Sequence, residues 1–275
     1  MILAVVLLLL TVGSVLFHFY SPWWWTPIAS NWDYIDHTII ITFWITGVAF
    51  VLIIGFVAYC VYRFRHREGQ EAHYEPENKR LEWWLTIATS LGVAGLLAPG
   101  LVVWKDFVTV PAGASEIEVM GQQWQWSFRL PGKDGVLGKS SDGAVTVENP
   151  FGINKDDPQA QDDIVLEAAD LHLPAGKPIK VLLRSKDVLH NFYVPEFRAK
   201  MDLIPGMVTY FWFTPTRTAK FDILCFELCG TGHYTMRGSV VVEDDAAYQT
   251  WLSQQTAFRD TYQRTKVVTK DSSVQ

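Results

Sequence analysis

Cysteine is scarce in this chain, with three among 275 residues. That is too few for a disulfide framework. One of them, Cys60, lies inside an apolar run, where a thiol behaves as a small hydrophobe. Charge is also scarce, at 19% of residues, and unevenly spread. Nearly all the long apolar runs fall before residue 105, which reads as a membrane anchor followed by a soluble domain. The formal net charge of −6 argues against a nucleic-acid partner and suits basic partners instead. No C-x-x-C-H occurs, so no c-type haem is attached to this chain.

What the sequence has in excess is tryptophan, twelve in all. Trp23, Trp24 and Trp25 directly follow an apolar segment, a placement that suits a membrane–water interface. Three apolar segments are visible: 1–20, 38–62 and 83–104. The second and third are each long enough to span a hydrocarbon core of about 30 Å. Pro99 and the glycines of the third are tolerable in a membrane helix. The first is either a signal peptide or a third helix. Its lack of a basic leading stretch and of a small-residue cleavage site favours a helix. The loop 63–82 carries Arg63, Arg65, Arg67, Lys79 and Arg80, whereas 21–37 carries neither lysine nor arginine. The basic loop is therefore expected in the cytoplasm, and everything after Lys105 outside it.

From Glu116 onward the pattern changes to short alternating runs, among them "SEIEVMG", "WQWSFRL", "KPIKVLLRS", "HNFYVPEF" and "AKFDILCF". Turn chemistry at Pro131-Gly132, Pro174-Ala175-Gly176 and Pro205-Gly206 separates them. Such a series predicts a β-sandwich or barrel over 105–243. The stretch 244–275 turns helical in composition, with Asp244 or Asp245 as its N-cap and a loose tail beyond Lys266. Between Gly132 and Asp170 lie nine acidic residues against three lysines. Two readings are open for this segment: a solvated loop, or a docking surface for a basic partner.

The most informative stretch is "CFELCGTGHYTM", Cys225 to Met236. A disulfide across so short a loop adds little stability and leaves His233 and Met236 unexplained. Zinc accepts cysteine and histidine but has no preference for a thioether. Thiolates with imidazole and thioether are what copper prefers. A single blue-type copper needs one cysteine, so the second is surplus unless two coppers share both thiolates. A second imidazole is then required, and His190 offers it at the edge of a predicted strand. Met236 would be a weak ligand to one copper, and a backbone carbonyl between the cysteines would reach the other.

Taken together, these motifs resemble subunit II of the haem–copper cytochrome c oxidases. The metal loop reads C-x-E-x-C-G-x-x-H-x-x-M, and upstream D-V-x-H is followed by K-x-D-x-x-P-G. "GQQWQWSF" is similar to the family's tryptophan-rich stretch. The resemblance implies a transmembrane helical hairpin followed by an all-β cupredoxin-like barrel; the first apolar segment, read as an extra N-terminal helix, departs from that two-helix anchor. It implies a binuclear copper (CuA) centre in which Cys225 and Cys229 bridge both coppers. His190 and Met236 would complete one copper, and His233 with the Glu227 carbonyl the other. The Glu227 side chain would face a magnesium ion shared with the catalytic subunit. Trp124 would be where the electron from cytochrome c arrives. Asp187 would belong to the docking patch, Lys200 and Asp202 would face catalytic subunit I, and Glu82 would sit at the mouth of a proton channel. The bland alternatives are a half-buried barrel aromatic for Trp124 and a helix-start carboxylate for Glu82.

The implied role is an electron-transfer subunit of a respiratory oxidase, held in a bacterial inner membrane with its copper domain in the periplasm. Oxygen reduction would occur on the partner subunit. The chain departs from the family at Gln125 and Arg129, where a tyrosine and an acidic residue are common, and in its 132–170 insertion. A nitric oxide reductase subunit with the same copper centre and a membrane-anchored copper carrier are the alternatives.

Overall fold

The computed structural model describes residues 1–21, 26–71, 74 and 76–261. The tryptophan run at 23–25 and the tail beyond Lys266 lie outside the described residues. The chain divides into two compact units: residues 1–25 with 34–105, and residues 26–33 with 106–275.

The first unit is helical. Helices α1 (Ile2–Tyr20), α2 (Asp33–Arg63) and α3 (Lys79–Val108) are each long and apolar enough to cross a membrane. In α2 the helix itself supplies acceptors for the threonine hydroxyls, as a helix at membrane depth requires. Thr38, Thr42 and Thr46 donate to the carbonyls of Tyr34, Thr38 and Thr42 at 2.8, 2.9 and 2.7 Å. Helix α3 begins where Asn78 Oδ1 accepts the Leu81 N–H, and it continues through Pro99. Both α2 and α3 extend past their apolar cores into charged flanks, so the intervening basic loop is short.

Among its described residues the second unit holds ten strands: β1 (Ser115–Gln122), β2 (Gln125–Leu130), β3 (Ile164–Glu167), β4 (Leu171–Pro174), β5 (Ile179–Ser185), β6 (His190–Val194), β7 (Ala199–Leu203), β8 (Thr209–Phe213), β9 (Ala219–Cys225) and β10 (Arg237–Glu243). They form two five-stranded sheets, ordered β3-β2-β1-β5-β8 and β4-β10-β9-β6-β7. Their inner faces meet over aromatic side chains. Phe192 contacts Trp126 and Phe211, and Phe197 contacts Phe213 and Phe221. This is the expected cupredoxin-like architecture. The short strands β4 and β7 were not among the predicted runs.

Strand β1 is buried on both faces. Its inner residues Ile117 and Val119 face the sandwich; the segment 132–163 covers the other side. Phe151, Ile153 and Ala160 pack with Met120 and Phe258 in a small second core. The segment also meets a buried ionic network. Glu118 and Arg129 are register partners on β1 and β2, and they pair at 2.9 Å. Arg129 further donates to Asp163 and to the Gly138 carbonyl, while Arg184 reaches Glu118 at 2.7 Å and pairs with Asp142. Glu118, Arg129, Asp163 and Arg184 are all under 5% exposed. Burial pushes the Asp163 carboxyl up to about 6 against the pull of Arg129. Neither expectation for the acidic segment foresaw this. It is a packed cover whose acids partly serve buried arginines, and Arg129 is a structural anchor.

The C-terminal helix is shorter than its composition suggested. Helix α4 spans Asp245–Ser253, capped by the Asp244 side chain on the Ala247 N–H at 2.9 Å. It docks on β4 through stacked rings of Trp251 and His172, 4.2 Å apart. The chain then turns so that Ala257 bridges Ile164 and the Phe258 N–H bonds the Asp163 carbonyl at 2.7 Å. A continuous helix would carry Phe258 away from the second core.

Candidate metal centre

Strand β9 ends at Cys225, and β10 begins at Arg237, immediately after Met236. The intervening loop closes on itself: the Cys225 N–H bonds the Met236 carbonyl at 3.3 Å, and the His233 N–H bonds the Gly230 carbonyl at 3.1 Å. Gly230 has φ +115°, a conformation open to glycine and strained for other residues. Neighbouring strand β6 pairs Phe192 with Cys225 and begins at His190, so sheet register delivers the upstream histidine to the loop.

Six donor atoms converge here. Cys225 and Cys229 are free thiols with sulfurs 3.7 Å apart. Cys225 Sγ lies 3.9 Å from His190 Nδ1 and 3.3 Å from the Glu227 carbonyl oxygen. Cys229 Sγ lies 3.5 Å from His233 Nδ1 and 3.9 Å from Met236 Sδ. The ligand atoms of His190, Cys225 and Cys229 all fall within 4.8 Å of one another, a group able to hold a metal ion. His190, Cys225, Cys229 and Met236 are buried, while His233 reaches toward the surface. Two thiols, two imidazoles, a thioether and a carbonyl form a soft set that fits copper.

Electrostatics prepares one thiol. Burial raises the Cys225 pKa, but hydrogen bonds with His190, the backbone of Asn191 and Glu227, and Cys229 outweigh it and bring it down to about 6. Burial and the neighbouring Cys225 hold Cys229 up at about 12. The pair thus loses its first proton readily and its second with difficulty, unless a cation replaces it. His190 is raised: burial works against its charged form, and contacts with Cys225 and Asp187 overcome that.

Asp187 is tied into this site. Its Oδ1 accepts from His190 Nε2–H at 2.8 Å, and Oδ2 accepts the Gln123 N–H at 2.7 Å. The first bond orients the ring so that Nδ1 faces the sulfurs, where its proton meets Cys225 and a bound cation would take that proton's place. Burial raises the Asp187 pKa; the Gln123 N–H, His190 and the Val188 N–H together lower it below the usual carboxylate range.

Trp124 stands in the turn between β1 and β2, 39% exposed, and its ring meets the Cys225–Met236 loop, its Nε1–H donating to the Cys229 carbonyl at 3.2 Å. Gln123 Nε2 donates to the same oxygen at 2.8 Å. The buried barrel aromatic of this motif is Trp126, whose ring meets Phe192 edge-on. Lys200 places its Nζ 4.1 Å from the centre of the Phe226 ring, and Asp202 accepts from Asn191 at 2.6 Å. Both sit on β7, the edge strand beside β6 in the loop-bearing sheet. Glu82 is exposed in the first turn of α3, in the helical unit.

Sequence reasoning did not single out Gln123 or Gly121. A Cβ at Gly121 would lie 3.2 Å from His190 Cδ2 and 2.9 Å from Leu203, so the glycine makes room for the imidazole. Its position at the head of the tryptophan motif was the available signal.

The sequence pattern of the cytochrome C oxidase subunit II periplasmic domain matches residues 115–244. The chain is 65% identical over 268 residues to alternative cytochrome c oxidase subunit 2 of Bradyrhizobium diazoefficiens, covering 98% of this chain and 97% of that one. It is 26% identical over 240 residues to cytochrome c oxidase subunit 2 of Cereibacter sphaeroides, covering 83% of this chain and 77% of the relative. Among solved structures, the periplasmic domain of subunit II of cytochrome oxidase from Bradyrhizobium japonicum superposes at TM-score 0.39 with 27% identity, over 53% of this chain and 95% of that one.

Proposed function

Because the chain belongs to the cytochrome c oxidase subunit II family, and so to a membrane-bound oxidoreductase complex, we propose that it receives electrons from cytochrome c and delivers them to the haem–copper catalytic subunit. One observation carries this reading. Six donor atoms converge around two buried free thiols, and a surface indole is hydrogen-bonded to the carbonyl of one of those cysteines. His190, Cys225, the Glu227 carbonyl, Cys229, His233 and Met236 would hold a binuclear copper centre, which when bound shares one electron between two metals.

The protein's own part is positional. Burial of His190, Cys229 and Met236 keeps water from the donor atoms. Asp187 holds the His190 ring with Nδ1 toward the sulfurs, and Gly121 leaves it space. Trp124 offers a continuous route from solvent through Nε1–H and the Cys229 carbonyl to its sulfur. Around it, Leu228 and Tyr234 are 77% and 80% exposed, an apolar rim suited to a partner that dries the contact.

The remaining assignments follow the same reading. Asp187 would contribute to the donor's docking patch from its outer edge. Lys200 and Asp202 would face the catalytic subunit, and the Glu227 side chain would share a magnesium ion with it. Glu82 would open a proton channel on the cytoplasmic side. The copper domain, about 105–243, would lie in the periplasm of a bacterial inner membrane.

Stopped-flow reduction of the purified oxidase by cytochrome c tests the proposal. Trp124→Ala is expected to slow that step with copper content unchanged. Reduction at the wild-type rate would refute the role of Trp124.

A further inference from the structure

The loop contains two glycines between Cys229 and His233, and they are glycines for different reasons. Gly230 needs its conformation, at φ +115°. Gly232 does not, since its φ of −89° and ψ of 9° suit any residue. What Gly232 lacks is space. A Cβ there would lie 2.6 Å from Cε3 and 2.8 Å from Cε2 of Trp124, and closer still to Cδ2. Those are atoms at the fused edge of the rigid indole. The ring rests directly on the Gly232 backbone, while its Nε1–H bonds the Cys229 carbonyl. A Cβ at Gly230 would add contacts with the same ring at 3.3 and 3.5 Å. The metal motif leaves position 232 open, so ligand chemistry does not require glycine there.

We infer that Gly232 is a positioning residue: its missing side chain is the seat that lets the Trp124 indole lie flat on the metal loop and hydrogen-bond the Cys229 carbonyl. The consequence for electron transfer rests on the reading of Trp124 given above; the placement of the ring does not. Any side chain at 232 lifts the indole, breaks the bond to Cys229 and lengthens the path to the sulfur. The ligands themselves are untouched.

The test uses the full chain with Gly232→Ala, Trp124→Ala and the double variant. In the copper-free chain labelled with ¹⁵N-tryptophan, the Trp124 indole N–H signal is identified by its loss in Trp124→Ala. Gly232→Ala is expected to remove the hydrogen-bonded signal and replace it with a fast-exchanging, solvent-exposed one. An unchanged Trp124 signal overturns the inference. In the assembled oxidase, Gly232→Ala should retain the copper spectrum and slow reduction by cytochrome c to the level of Trp124→Ala, with no further slowing in the double variant. Additive slowing overturns the inference, because Gly232 would then act other than through the indole. Should Gly232→Ala fail to fold, the double variant is expected to restore folding, since the clashing ring is gone. Failure of both variants equally would also overturn it. If Trp124→Ala alone leaves reduction unchanged while Gly232→Ala displaces the indole, the seat stands and the role of Trp124 in receiving the electron falls.

Discussion

The loop Cys225–Met236 and the segment 132–163 both bury polar side chains at the rim of the same β-domain, and they satisfy them in opposite ways. Beneath the segment the charges answer one another: buried Glu118, Arg129, Asp163 and Arg184, with the exposed Asp142, form a chain of ion pairs. In the loop the donor atoms point at a common centre, with separations of 3.3–3.9 Å that favour a shared ion over one another. Mutual pairing of opposite charges marks a structural device, and convergence of soft donors marks a site. The comparison also separates stability from chemistry, because the two regions depend on different residues.

The sharpest way to break that comparison is to remove the cover. Deleting 140–157 would expose Met120 and leave Arg184 without Asp142 and the Phe151 carbonyl. We expect the β-domain to lose cooperative thermal unfolding; an intact transition would mean the segment is dispensable decoration. Next in size is Arg129→Met, which leaves Glu118 and Asp163 buried without their shared partner. Breaking such a network costs roughly 3–5 kcal/mol. Denaturant titration should show that loss while the copper spectrum of the folded fraction stays unchanged.

A smaller effect of the opposite kind is expected from Asp187→Asn. Loss of the carboxylate behind a histidine that holds metal lowers metal affinity by roughly 10–100-fold, read by competition with a copper chelator, together with a small loss of the stability that the lowered Asp187 pKa contributes at neutral pH. Its pH signature follows from sign. The folded pKa of Asp187 is lowered from 3.8, so its contribution is complete above that value and is lost as pH falls through the folded pKa. The variant should lack that acid limb. The smallest effect belongs to Glu148→Gln, an exposed acid of the segment. Its stability change should stay within about 0.5 kcal/mol, and a larger one would show that the segment's surface charge matters to the fold.

The same contrast explains what was readable in advance. The metal loop is specified by residue type at close spacing, so Cys225, Cys229, His233 and Met236 stood out, and register brought His190 to them. The apolar segments were equally plain, because helix formation in a membrane needs only length and composition. The acidic segment was not legible. Its carboxylates Asp163 and Asp142 are matched by arginines on β2 and β5, residues remote in sequence whose burial nothing local announces. Strand β4, "LHLP", is too short to show alternation, and β7 hides in a motif read for its chemistry. Helix α4 stops at Ser253 because Phe258 is needed in the second core, a long-range demand on a locally helical stretch. The glycines that seat His190 and Trp124 were visible as letters, yet their purpose lies in rings contributed by other strands.

The most direct test of the central claim, that two buried thiols share a pair of coppers, is the electron paramagnetic resonance spectrum of the copper-loaded full chain. The account predicts hyperfine splitting from two equivalent copper nuclei, abolished by His190→Asn in a chain that still folds. Splitting from a single copper nucleus would contradict it, leaving one of the cysteines without a role in the centre.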